Sequence, residues 1–261
     1  METNVKLTGR QDLEYPPILY KYRDWDNPYH KVIITDSTLY LASPKSFEDI
    51  NDCNLPEKFP AHNKLYKFFL EKSKEENPFF SRKEHRNFAN YWSKHSPLAN
   101  PHKLKSLLDE INNKFHNCFG ILSMTGNADN DKMWNKYGNE HKGFCVGYDT
   151  ETLFQYVGGG GYVQYADELP TIDFVKDDIN TKLVKNILFK ERKWEFEEEY
   201  RLHKMWSVTA TDKQRNIKLP NDCIVEIILG KLMSQESKDE IKKIAKDKYP
   251  KAKIIERIEN E

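Results

Sequence analysis

The chain has 261 residues, a length that fits one large domain or two small ones. Its 41 basic and 41 acidic side chains cancel, which excludes a whole-molecule field drawing it to nucleic acid or to an acidic membrane. Hydrophobic residues at 38% and aromatics at 13% are lean in aliphatics, yet sufficient for a sizeable core, because each aromatic ring buries a large area.

The segment 1–17 has no apolar core of the kind a secretory signal needs. The longest apolar stretch, near 223–232, is too short and too charged to span a bilayer. The expectation is a cytoplasmic protein with no membrane partner. Cys53, Cys118, Cys145 and Cys223 are far apart in sequence. Buried reduced thiols are therefore expected, and no zinc or redox pair.

Residues 1–14 read as a flexible lead-in and 15–258 as a single α+β domain. After Pro16-Pro17, residues 18–23 alternate in the manner of a half-buried strand. Asn27 and Pro28 start a short helix over 29–34. Residues 38–43 are a second strand, stopped by Pro44, and the acidic run Glu48-Asp49 and Asn51-Asp52 reads as a hydrated turn. Residues 56–117 are charged and helical, with Leu104, Leu107, Leu108, Ile111 and Phe115 on one face, and form a helical insertion between the second and third strands.

The third strand covers 118–124, and a short helix over 133–137 ends at Gly138. A strand at 143–148 leads to Asp149, which caps the next helix. The glycines at 158–161 are followed by no Walker lysine and read as a flexible loop. A strand at 162–165, a helix over 181–190 and a strand over 197–206 come next. The β-branched run 224–230 is a strong strand, and Ser237 with Glu240 spells a capping box before a helix. A last strand lies at 252–255. The whole predicts a central mixed or antiparallel sheet.

Taken in order, several segments resemble a bacterial family catalogued as domain of unknown function 2971. They are Leu19–Arg23, Leu39–Pro44 with Phe47–Asp52, Met133-Trp134 with Tyr137 and Lys142-Gly143, Lys190 with Trp194, Glu197, Glu199 and Arg201, and Glu226–Gly230. The chain departs from that pattern at Glu48-Asp49-Ile50, where the family tends to have an Asn-Asp-Pro turn, and at Gly120, where it often has Ser.

More distantly, a first strand bearing Tyr-Arg, a short helix, a strand ending in Ser-Pro and a late Glu-x-Glu look like the ADP-ribosyltransferase fold. That resemblance implies NAD as substrate, with cleavage at the nicotinamide bond and transfer of ADP-ribose to a nucleic acid or protein acceptor. It places Glu199 at the cationic sugar and Arg23 on the phosphate or ribose. Ser43 would hold the nicotinamide ribose or support the Glu, and Tyr22, Trp134 or Tyr137 would stack on a ring. Glu197 and Arg201 would complete the site, and no metal is implied.

The residues also admit a plainer account. Glu197, Glu199 and Arg201 alternate, so a Glu–Arg pair on one strand face explains them without a ligand. Trp134 and Tyr137 would pack one helical turn apart. Arg23 would neutralise a nearby carboxylate. The corresponding function is a non-enzymatic ligand-binding or regulatory module of a stress or phage-defence system.

Overall fold

The computed structural model describes residues 14–258. All but the last residue of the 1–14 lead-in thus lies outside the described residues. After Pro16-Pro17 comes β1 (Ile18–Arg23). The Asn27 side chain accepts a hydrogen bond from the Tyr29 amide and caps α1 (Pro28–Thr35), with Pro28 in the first turn, where no amide hydrogen is needed. β2 (Thr38–Tyr40) is followed by β3 (Glu57–Lys58), α2 (Leu65–Glu76), α3 (Arg82–His95) and α4 (Pro101–Cys118).

Next come β4 (Phe119–Thr125), α5 (Asp131–Tyr137), β5 (Phe144–Asp149), α6 (Thr150–Val157), β6 (Gly160–Tyr162), β7 (Gln164–Ala166), β8 (Ile172–Asp173), α7 (Ile179–Leu188) and β9 (Phe189–Glu191). A 3-10 helix, Arg192–Glu197, leads into β10 (Glu199–Met205). The chain closes with α8 (Asp212–Arg215), β11 (Asn216–Lys218), β12 (Ile224–Leu229), α9 (Gln235–Lys248) and β13 (Lys253–Glu256).

The fold is α+β. Seven strands form one mixed sheet in the order β13-β12-β5-β1-β4-β10-β6. Only β12 and β13 run parallel, with α9 as the crossover between them. Strand alternation sorts side chains to two faces. On one, Leu19, Leu122, Phe144, Val146, Leu202 and Ile227 join Ile33 and Ile34 of α1, Leu153 of α6 and Ile241 of α9 in the main core. On the other, Tyr22, Cys145 and Ile228 meet Met133 and Trp134 of α5, while Phe119 and Ile121 meet Ile187 of α7. All four cysteines are free and buried.

The feature that makes room for a site is a parting inside the sheet. β1 pairs with β5 along its whole length, from Ile18↔Asp149 to Arg23↔Phe144. With β4 it pairs only at Tyr20↔Thr125. Beyond that point the β4 backbone turns to another partner: Ala42 and Ile121 exchange hydrogen bonds at 2.9 and 2.8 Å. The gap between β1 and β4 is spanned by a side chain, because the Lys21 amino group donates to the Ser123 carbonyl.

Several boundaries differ from the sequence reading, each for a local reason. The last long helix starts three residues early, because Ser234 rather than Ser237 caps it and receives the Ser237 amide. Gly160 and Gly161 are not a loop but part of edge strand β6, paired with Leu202 and Arg201. A Cβ at Gly160 would sit 2.0 Å from the Arg201 carbonyl oxygen, so the close approach requires glycine. The helix expected to reach Lys190 stops at Leu188, and Phe189–Glu191 pairs in parallel with β7. At Gly120 a Cβ would meet Leu41 and Trp206 at 2.8 Å, which accounts for the absence of a side chain there.

Candidate functional site

Where β1 and β4 part, a cavity of about 340 Å³ opens, lined by Tyr20, Lys21, Tyr22 and Arg23 of β1 and by Ile121, Ser123 and Met124 of β4. Such a volume is of the size that takes a small ligand. One wall comes from β1, with Lys21 and Arg23. The opposite wall combines the turn bearing Asp49 and Asp52, Lys190 of β9, and Glu197 and Glu199. Tyr40, Phe47, Tyr137 and Trp194 give it aromatic sides.

Glu197 and Glu199 reach the same cavity by an unexpected route. They are not successive residues of one strand. Glu197 ends the 3-10 helix, Glu198 takes a left-handed conformation (φ 45°, ψ 47°), and β10 starts at Glu199. That turn aims the Glu198 carboxylate away, to accept from Asn127 and Asn130 at 3.0 and 3.1 Å.

The floor is a buried ion network. The fully buried Arg201 guanidinium forks onto two carboxylates. It donates to Asp52 through Nη1 and Nη2, both at 2.7 Å, and to Glu199 through Nε at 2.7 Å and Nη2 at 3.0 Å. Its planar shape and fixed charge suit this double bidentate role, in which a lysine would fail. Lys190 completes the network, donating to Glu197 and, at 3.2 Å, to Glu199, with Asp52 at 3.6 Å. Burial alone would push the Glu199 carboxyl up, but Arg201, Lys190 and the hydrogen bonds from Arg201 and Ser123 hold it well below the usual carboxylate range. Burial likewise works against the Lys190 charge, but Glu199, Glu197 and Asp52 outweigh it and raise that pKa.

The two carboxylates therefore differ in spare capacity. Four donor atoms occupy Glu199: Nε and Nη2 of Arg201, Nζ of Lys190 and the Ser123 hydroxyl. A carboxylate offers about four lone-pair positions, so Glu199 is saturated. Glu197 receives two, from the Tyr137 hydroxyl at 2.6 Å on Oε1 and from Lys190 on Oε2. It keeps acceptor positions for a ligand.

The β1 wall is the reverse case. Among the described residues the Arg23 guanidinium hydrogen bonds only to the Tyr22 carbonyl, at 3.1 Å, and no carboxylate pairs with it. Burial lowers its pKa to about 10. A second hollow, about 620 Å³, adjoins the first and shares Arg23 and Tyr40 with it. It is walled by His30 and Ile33 of α1, Leu39 of β2, and Asp212 and Asn216.

Of the residues singled out from sequence, Arg23, Glu199, Glu197, Tyr137 and Tyr22 line the cavity, Ser43, Trp134 and Arg201 do not. Ser43 donates to the His116 carbonyl at 2.7 Å and caps the 3-10 turn Pro44–Ser46. Trp134 is fully buried, with its indole donating to the Ala128 carbonyl at 3.0 Å and its ring edge-on to Tyr22. Tyr22 spends its hydroxyl on the Asn127 carbonyl at 2.7 Å. The sequence reading gave no role to Lys21, named Lys190 only as part of the family pattern, and took Asp52 for part of a hydrated turn. Asp52 is no hydrated turn residue: it is buried on Arg201. Asp49 accepts the Trp194 indole hydrogen at 2.6 Å and so fixes the ring that closes the cavity. Among the described residues there is no grouping of three or more His, Cys, Asp or Glu able to hold a metal ion. No helix among them is long and apolar enough to cross a membrane.

Residues 133–202 match the sequence model of a family described as "Protein of unknown function (DUF2971)". The matched span runs from α5 to the middle of β10 and carries Tyr137, Lys190, Trp194, Glu197, Glu199 and Arg201 of the site. No curated protein and no solved structure matches the chain.

Proposed function

We propose that the twin hollows bind a phosphorylated ribonucleotide, and that the chain uses NAD as an ADP-ribosyltransferase-like enzyme. The observation that carries this reading is the junction: two adjoining hollows share one guanidinium that has no carboxylate partner among the described residues. A dinucleotide needs that arrangement, with a bridging pyrophosphate on a bidentate cation and a nucleoside to each side. Arg23 takes the pyrophosphate. Tyr40, at the same junction, flanks it. The nicotinamide ribose lies toward Glu197, and Trp194 or Tyr137 faces the ring.

Breaking the bond between nicotinamide and ribose develops positive charge on the sugar. A fixed carboxylate within reach of the ribose stabilises that charge, and it does so best in a site closed to water. Glu197 has the open acceptor positions for the ribose hydroxyls, while Glu199, saturated by Arg201, Lys190 and Ser123, holds the floor in place. Nicotinamide departs with the bonding electron pair, and the acceptor, a nucleic acid, a protein or water, attacks the sugar carbon.

The test is nicotinamide release from NAD by purified wild type, Glu197→Gln and Glu199→Gln, with unfolding by urea measured beside it. The expected outcome is release by wild type and a loss of about a hundredfold or more in Glu197→Gln with a near-native urea midpoint. Glu199→Gln should lose activity together with stability. No release by wild type in the presence of cell extract would refute the transferase reading. A Glu197→Gln variant as active as wild type would remove its assigned role.

A further inference from the structure

Lys21 is the basic side chain of the cavity that the NAD reading does not use. It stands two residues before Arg23 on β1, so both side chains leave the strand on the same side, with Cα atoms roughly 7 Å apart. Both line the cavity at the parting of β1 from β4. Neither is paired with a carboxylate among the described residues: the Lys21 amine rests on the Ser123 carbonyl and Arg23 on the Tyr22 carbonyl. The acidic groups across the cavity are held by Lys190 and Arg201 instead. Lys21 is half-buried and lines the cavity.

We propose that the cavity captures a phosphorylated aldehyde or ketone, with the phosphate on Arg23 and the carbonyl carbon joined to Lys21 as an imine. The site needs an amine whose charged form is disfavoured and a neighbouring cation, and β1 supplies both. Burial, followed by the repulsion of Arg23, brings the Lys21 pKa well below that of an ordinary lysine. Glu199 and Glu197 across the cavity act in the opposite sense, Lys190 of β9 assists the lowering, and His30 of α1 also faces the pair. Since His30 is itself lowered to about 4, it adds no charge near neutrality.

The step balances without a further reactant. The Lys21 lone pair attacks the carbonyl carbon and forms the C–N bond. The carbonyl oxygen then leaves as water with the two amine hydrogens, and the C=N bond remains. The reaction is reversible and changes no oxidation state. It is independent of the NAD reading, since it requires neither Glu197 nor a glycosidic bond.

Pyridoxal phosphate, a phosphorylated aldehyde, is the probe. It is incubated with the full chain at pH 7, reduced with borohydride, and the labelled lysines are mapped by peptide mass spectrometry. The expected result is dominant labelling of Lys21 and its loss in Lys21→Met. Lys21→Arg keeps a long basic side chain at that position, guards against a folding defect in the methionine variant, and should also be unlabelled. Arg23→Gln should raise the half-saturating probe concentration about tenfold, as should pyridoxal lacking the phosphate, a change matching one lost charge-assisted contact. Because the uncharged amine is the reactive form, labelling of Lys21 should begin at lower pH than labelling of surface lysines. Labelling spread over surface lysines with Lys21 no richer than the rest would overturn the proposal. So would equal labelling of Lys21 in wild type and Arg23→Gln. NAD takes no part in the assay, so its outcome stands apart from that of nicotinamide release.

Discussion

Arg201 decides the chemistry of this site although no ligand would touch it. Fully buried, it holds Asp52 and Glu199 together. Removing it leaves two carboxylates facing each other with Lys190 alone between them. Breaking a buried ion group from one side costs about 3–5 kcal/mol, and Arg201→Met should show a loss of that order in urea unfolding. The pH dependence has a definite sign. The folded pKa of Glu199 is depressed, so its contribution to stability is complete above the unfolded carboxylate value, about 4.3, and is lost as pH falls toward the folded value. Urea midpoints measured from pH 7 downward should fall more steeply below about pH 4 in wild type than in Glu199→Gln, which has no such proton to take up. Parallel acid limbs in the two proteins would contradict this.

At the level of elements, the site depends on how strands end. Glu198 in its left-handed conformation sends Glu197 and Glu199 into one cavity. Gly160 lets β6 close on the carbonyl of Arg201, and a methyl group there meets backbone rather than a movable side chain. Gly160→Ala should cost about 1–3 kcal/mol, the usual range for overpacking, and raise amide exchange along β6. An unchanged urea midpoint would show that the edge strand gives way freely. Much of this level was readable in advance. Asn27 with Pro28, Asp149 and Gly138 mark helix ends by local chemistry that acts within four residues, and the alternation in β1 is plain. What alternation does not reveal is the neighbour. Lys21 and Arg23 simply alternate with Tyr20 and Tyr22 in the sequence, and only the end of pairing with β4 turns them into cavity walls. Asp52 looked hydrated because its partner Arg201 lies 149 positions away, beyond any local signal. The Glu197–Glu199 spacing was legible, but the turn between them was not, and an i, i+2 repeat reads the same in a strand as across a left-handed corner.

On the scale of the whole molecule, a neutral chain concentrates unlike charges across one gap in its sheet. A guanidinium and an amine without carboxylate partners among the described residues stand on the β1 side, and a carboxylate-rich floor, locked by Arg201 and Lys190, stands opposite. Phosphate on one side and sugar hydroxyls on the other is the ligand chemistry that such a division fits. ADP-ribose isolates that recognition from bond cleavage, since it has the pyrophosphate and both riboses but no nicotinamide to lose. Its binding to wild type and Arg23→Gln, followed by titration calorimetry and thermal unfolding, tests the central claim most directly. At a hundred times Kd the wild type should gain about 2.7 kcal/mol, or about 5 °C in Tm, with Arg23→Gln binding at least about tenfold more weakly. No heat of binding and no thermal shift in wild type, or equal affinity in the variant, would contradict the account.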